Sequence, residues 1–342
     1  MTPKRIAIDA MGGEGGAEFT VPASTAALSE YSNLELILLG DESMIRPMLR
    51  AVPQDVLCRL TIQHTDSVIT DKEKPAAVFR GDKRSSMYLA AQLVQQGQVS
   101  AMVSAGNTGA LIMAGRHLLK TIPGIHKPAL VATIPGVSAA TYLLDVGANP
   151  DCSGQQLFEF AVMGAVLAES LSGRPPTVGL LNIGSEQHKG TEEVQLAANL
   201  LEQCSAINYV GFVEAGGLFQ GAADVVVCDG FVGNVTIKAS AGVANVVSGL
   251  VADHSVQGPL GWLGKYFVKT AMKDLRRQIN PQRFNGASLL GLQGSIVKSH
   301  GNATVEGFGY AIKQAIVEVE LNIPQLIAEK VAAIMSSNKV SI

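Results

Sequence analysis

Four stretches of the sequence join an apolar run to glycines and small polar residues, a combination suited to holding an anion. IAIDAMGGEGG (6–16) ends its apolar run at Asp9 and continues through Gly12, Gly13 and Glu14. A dinucleotide fingerprint would need a third glycine where Glu18 stands, so this loop reads as a small-anion cradle or as a tight strand-to-helix turn. VSAGNTGALIMAGRHLL (103–119) places Ser104, Gly106, Asn107, Thr108 and Gly109 where a strand gives way to an apolar helix. The unpaired N–H groups and positive dipole end of such a helix bind anions, and Asn107 or Thr108 would equally serve as its N-cap. LLNIGSEQHKGTEEV (180–194) carries Ser185, Glu186, His188 and Lys189; Lys189 is either a mobile counter-charge for phosphate or a solvated loop lysine. VVVCDGFVGNVTIKAS (225–240) repeats the pattern with Asp229, Gly230, Gly233 and Asn234. From the start of its helix, Asn234 can donate to a developing oxyanion or simply cap the turn.

Other residues have weaker chemistry. His188 and His300 have no recognisable partner in the sequence, and Cys228 continues a buried strand beside an acid that raises its pKa, which argues against a nucleophile. The four cysteines, at 58, 152, 204 and 228, form no CxxC pair, which suits a reducing cytoplasm. Neither a metal-ligand pattern nor a cofactor motif is present, so no metal and no cofactor is expected. A net charge of −3 without a long basic run excludes a nucleic-acid footprint. No stretch of 18 or more apolar residues spans a membrane.

The elements that must position these loops are short apolar runs at 5–10, 34–40, 100–106, 130–136, 141–147, 177–184, 209–214 and 223–230, most of them ending in Gly or Asp. Helical spacing marks 85–97, 154–171 and 191–204. This alternation predicts an α/β fold whose mainly parallel sheet has helices on both faces, with ligands beyond the carboxyl ends of the strands. Without a repeat or linker, the 342 residues read as one continuous catalytic body, 1–342. Its anomaly is 249–284, which holds the only tryptophan; Leu260, Trp262, Leu263 and Phe267 lie among Lys265, Lys269, Lys273, Arg276 and Arg277. A helix resting on an anionic membrane and a helix in a dimer interface both fit that composition.

Taken with KPAAVFRGDKRSSM (74–87), LLDVGAN (143–149) and SHGNATVEGFG (299–309), the four loops occur in the order seen in the PlsX-type phosphate acyltransferases, and the chain resembles that family over nearly its whole length. It departs from the family pattern at Glu14, where a second aspartate is usual, and at Arg84, where an acid is common. The resemblance implies transfer of a long-chain acyl group from acyl carrier protein to inorganic phosphate, with direct attack by phosphate and no covalent enzyme intermediate. It implies a fold like that of phosphotransacetylases and isocitrate/isopropylmalate dehydrogenases, with a protruding helical segment at 249–284, and a homodimer. It also implies cytoplasmic location with peripheral membrane contact through Leu260, Trp262, Leu263 and Phe267, and hand-off of the acyl phosphate to a membrane glycerol-3-phosphate acyltransferase. Lys189 and Asn234 match the family's key lysine and asparagine. Phosphate and acyl contacts are expected at Asp9, Gly12, Gly13, Ser104, Gly106, Asn107, Thr108, Gly109, Asp145, Asn149, Asp229, Gly230, Gly233, His300 and Gly301, with Asp9 fixing nearby N–H groups or Lys189. An NAD-dependent decarboxylating dehydrogenase on the related fold and a non-catalytic membrane scaffold are the alternatives.

Overall fold

A computed structural model of the chain describes residues 3–70, 72–79, 84–136, 139–253 and 281–337. The membrane-contact residues Leu260, Trp262, Leu263 and Phe267, with most of 249–284, lie outside the described residues.

Among the described residues eleven strands form one sheet: β1 (Lys4–Asp9), β2 (Leu34–Gly40), β3 (Leu60–His64), β4 (Ala101–Ser104), β5 (Ala129–Ile134), β6 (Thr141–Leu144), β7 (Thr177–Leu181), β8 (Asn208–Val213), β9 (Val225–Val227), β10 (Ala287–Leu290) and β11 (Ser295–Lys298). Their order is β3-β2-β1-β4-β11-β10-β5-β6-β9-β7-β8. The expected runs are all present, generally shorter than the apolar stretches that announced them. β3 and the hairpin β10–β11 are additional. Pairing is parallel from β3 to β11 and again from β6 to β8, whereas β11–β10, β10–β5 and β5–β6 are antiparallel. The odd number of reversals matters: the two parallel groups run in opposite directions, so their carboxyl ends emerge at opposite edges.

The helices are α1 (Ala17–Glu30), α2 (Glu42–Met48), α3 (Gln54–Leu57), α4 (Ser86–Gln95), α5 (Thr108–Leu118), α6 (Gly154–Ser172), α7 (Glu192–Glu202), α8 (Gly217–Gln220), α9 (Gly230–Asp253), α10 (Val305–Leu321) and α11 (Ile323–Ser337). Side chains of α4 and α5 share a core with Ala7, Met102, Val146 and Val226, and Ile237 of α9 packs against the same core. On the other face α1 and α10 cover β1, β2 and β4, while α6, α7 and α11 cover β6, β7 and β9. The apolar stripes predicted for helices on both faces are thus filled from both sides. α6 shows how the local sequence sets an element. Ser153 accepts from the Gln156 N–H and Gln156 reaches back to the Ser153 N–H, a reciprocal cap before a run of buried Leu, Phe, Val and Met.

One buried acid lies apart from every candidate loop. Glu318 of α10 is 2% exposed among Ser288, Ser295 and Gln314, and burial pushes its carboxyl up to about 7 from an ordinary 4.5. Because the folded protein then holds a proton that the unfolded chain releases, stability is full below pH 4.5 and falls as pH rises to about 7. A shift of that size corresponds to roughly 3 kcal/mol. Glu318→Gln is therefore expected to raise Tm at pH 8 and to leave it nearly unchanged at pH 4.5, measured by thermal unfolding across that range.

Candidate functional site

The first set of polar residues gathers where β1, β4 and β11 end. Register places Asp9 beside Ser104 and Ser104 beside Lys298, a carboxylate, a hydroxyl and an ammonium in one row on one face. Ser104 Oγ donates to Asp9 Oδ2 at 2.6 Å and accepts from the Gly106 N–H at 3.1 Å. A β-carbon at Gly12 would lie 2.7 Å from both Asp9 Oδ2 and the Gly106 nitrogen, so only glycine lets the opening loop close over this chain of bonds. Asp9 is 1% exposed, and among the described residues its Oδ1 has no hydrogen-bond partner. Burial raises its pKa, while Ser104, Ser86, the Met11 N–H and the charge of Lys298 pull the other way. Asp9 reaches the Gly106 N–H through Ser104, and the cation near it is Lys298 rather than Lys189.

Asn107 caps α5, its Oδ1 accepting from the Ala110 N–H at 3.0 Å and its Nδ2 donating to the Glu73 carbonyl at 3.2 Å. The Gly106 and Ala110 N–H groups are thus engaged within the protein. Those of Thr108 and Gly109, the first two helical positions, have no carbonyl one turn back to meet and are the ones suited to an anion. The Gly301 carbonyl accepts from the Glu14 N–H at 2.8 Å, and the His300 N–H donates to the buried Asn285 Oδ1 at 2.9 Å. Gly13, Ser104, Gly106, His300 and Gly301 therefore belong to one neighbourhood with Asp9 and Gly12.

The second set lies where β6, β9 and β7 end. The Asp145 carboxylate accepts from the N–H groups of Leu130 (3.0 Å), Gly147 (3.2 Å), Ala148 (3.0 Å) and Asn149 (2.7 Å), and from Asn149 Nδ2 (2.9 Å). Burial raises its pKa and these bonds oppose the shift. Asn149 also donates to the Pro128 carbonyl at 2.7 Å, and its own carbonyl receives the Gly230 N–H at 2.8 Å. Asp145 and Asn149 are buried and hydrogen-bonded to the backbone, so they hold the turn at 145–149 against the start of α9. Asp229 accepts from the Val232 N–H at 2.8 Å and from Gly233 through its carbonyl, closing the first turn of α9. Asn234 stands one turn further on, against Gly147: a β-carbon there would be 2.9 Å from Asn234 Nδ2, and Gly147 has φ +130°. Lys189, in the loop after β7, donates from Nζ to Glu186 Oε1 at 2.6 Å, and that ammonium holds the exposed Glu186 carboxyl below its usual range. Cys228 is buried, and its thiol is pushed well above the usual value by burial and then by Asp229 and Asp145, as its position implied.

The two sets are not neighbours along the sheet. Five inter-strand steps of about 4.8 Å separate β1 from β6, roughly 24 Å, and Lys189 lies two strands further on. The expectation that the 104–109 loop and Lys189 grip one phosphate is therefore not met by adjacency on the sheet. Lys298 and Ser86, which the sequence did not single out, stand with Ser104 and Asp9 in the first set. Among the described residues no group of three or more His, Cys, Asp or Glu is placed to hold a metal, and no helix is long and apolar enough to cross a membrane.

The family described as fatty acid synthesis protein matches residues 4–326. A phosphate acyltransferase of Pseudomonas aeruginosa (strain UCBPP-PA14) is 47% identical over 325 residues, 95% of this chain and 97% of the relative. One from Halorhodospira halophila is 45% identical over 335 residues, 98% of each chain. Among solved structures, a phosphotransacetylase from Streptococcus pyogenes superposes with a TM-score of 0.60 at 17% identity, covering 95% of this chain and 94% of its own. EutD phosphotransacetylase from Staphylococcus aureus gives 0.59 over the same shares. These two likenesses bear on the fold, and they agree with the α/β architecture expected from the sequence.

Proposed function

This chain belongs to the fatty acid synthesis protein family and is an acyltransferase, and from that premise we propose that it moves a long-chain acyl group from the thioester of acyl carrier protein to inorganic phosphate. Membership sets aside the dehydrogenase and scaffold alternatives. The observation that carries the reading is the pair of strand-end sets, each built around a helix start, with the Ser104 hydroxyl and the Cys228 thiol both buried. Phosphate supplies the nucleophile. Its oxygen bonds to the thioester carbon, the carbon–sulfur bond breaks, and the electron pair leaves on the carrier's sulfur, which takes up the proton the phosphate gives up.

The N–H groups of Thr108 and Gly109 receive the phosphate at the start of α5, a dipole end suited to a dianion. Asn234 donates to the carbonyl oxygen as it takes up charge. Lys189 exchanges Glu186 for the reacting phosphate, its flexible stem giving it the reach. Holding the two reactants in line contributes up to about 7–11 kcal/mol to such a reaction, and a placed oxyanion donor about 3–4 kcal/mol.

A homodimer is part of the same proposal. Phe231, Val235, Val243 and Val246 of α9 are exposed, Phe231 at 67%, giving that helix an apolar surface that a second copy would cover. In a two-fold pair the second set of one protomer meets the first set of the other, which bridges the separation along the sheet. The product, an acyl phosphate, is an activated donor for acylation of an alcohol at the membrane, in keeping with hand-off to a glycerol-3-phosphate acyltransferase.

Purified protein mixed with acyl carrier protein bearing a long acyl chain is expected to form an acyl phosphate, trapped by hydroxylamine as the hydroxamate, only when inorganic phosphate is added. Thioester hydrolysis without hydroxamate would overturn the reading.

A further inference from the structure

Lys298 stands at the end of β11, in a row with Ser104 and Asp9, and is 9% exposed. Its Nζ donates to the Ala105 carbonyl at 3.3 Å and to the Ser299 carbonyl. Those two carbonyls belong to different loops. Ala105 begins the segment from β4 to the start of α5, and Ser299 begins the segment that carries His300 and Gly301. A buried ammonium is costly, and packing alone would be served by an apolar residue such as Ile296 or Val297 on the same strand. Here the charge is offset by Asp9, which the row places two strands away and whose Oδ2 already orders Ser104 and, through it, Gly106. Asn285 fixes the far side of the Ser299 loop through Ser299 Oγ at 2.8 Å and the His300 N–H at 2.9 Å.

We propose that Lys298 is a positioning residue for phosphate: by tying the backbone of the loop after β4 to that of the loop after β11, it holds the start of α5 and the His300–Gly301 turn in one anion cradle. This rests on the reading that the first set receives phosphate. It acts through the loops, not by touching the reacting atoms.

The test compares the wild-type enzyme with Lys298→Met and with the double variant Asp9→Asn/Lys298→Met, in which neither buried charge is left without its partner. Acyl phosphate formation is followed against inorganic phosphate and, separately, against the acyl thioester. Lys298→Met is expected to raise the KM for phosphate about tenfold or more while the KM for the thioester stays within about twofold. The double variant should regain much of the Tm lost by the single one, yet keep the raised phosphate KM. If phosphate KM returns to the wild-type value as Tm recovers, Lys298 is only structural and the proposal falls. If Lys298→Met does not fold, the double variant is read against Asp9→Asn alone, and a phosphate KM no higher than that of Asp9→Asn overturns the proposal. A second measurement needs no reaction: the rise in Tm that inorganic phosphate gives the resting enzyme is expected in the wild type and lost in both variants. Retention of that rise in the variants overturns the tie. Loss of it alongside a wild type that forms no acyl phosphate would leave the tie standing and overturn the transfer reading instead.

Discussion

Replacing Asn234 by alanine is expected to lower kcat for acyl phosphate formation by about 10²–10³, with little change in the KM for phosphate. The size follows from where the amide stands. It projects from the first turns of α9 against the α-carbon of Gly147, in a turn whose N–H groups are held by the buried Asp145 carboxylate. An amide already standing beside that turn in the resting protein needs little reorganisation as the carbonyl oxygen takes up charge, and that advantage belongs to the transition state. Its loss therefore appears in kcat and not in ground-state binding. Lys189→Ala is expected to act differently, because Lys189 is partly exposed and pairs with Glu186 in the resting protein. It must leave that partner to serve the reaction. Near-normal turnover in both variants would overturn the placement of chemistry at the second set.

How far the sequence revealed this arrangement differs between its levels. The parallel strands and their Gly or Asp endings were legible because buried strands read as apolar runs and the turn residues are forced by backbone geometry. The starts of α5 and α9 were legible for the same reason. β10 and β11 were not, being four residues each around a short turn, with too few positions to establish a period. That omission has a structural consequence. β10 is antiparallel to both β11 and β5 and joins the two parallel groups into one sheet, while the β5–β6 pair sets their carboxyl ends at opposite edges. Lys298 was hidden for a related reason: it is a polar residue ending a strand whose neighbour, β4, lies far away in sequence, so its row with Ser104 and Asp9 exists only after the strands pair. Asp145 was found, but its bonds to the turn were not. A carboxylate beside glycines suggests ligand contact, and only the fold shows all five of its bonds going to the turn it organises and to Leu130.

Mixing two inactive variants is expected to restore activity, since the proposed dimer draws each site from both protomers. Gly12→Ala would drive a methyl group against Asp9 and the Gly106 nitrogen, opening the first set, and leaves the second set intact. Asn234→Ala does the reverse. In a hybrid dimer one site combines both defects, whereas the other combines the intact first set of one protomer with the intact second set of its partner. Random reassociation makes about half the dimers hybrid, so recovery should approach about a quarter of wild-type activity, against near-background activity for either variant alone. If each chain instead completed its own site, every protomer in the hybrid would keep one defect and mixing would restore nothing. The assay thus separates the two arrangements without a structure of the dimer. Its control is a mixture of Lys189→Ala with Asn234→Ala: both changes fall in the second set, so no combination of these protomers supplies an intact one, and the mixture should stay as inactive as its parts.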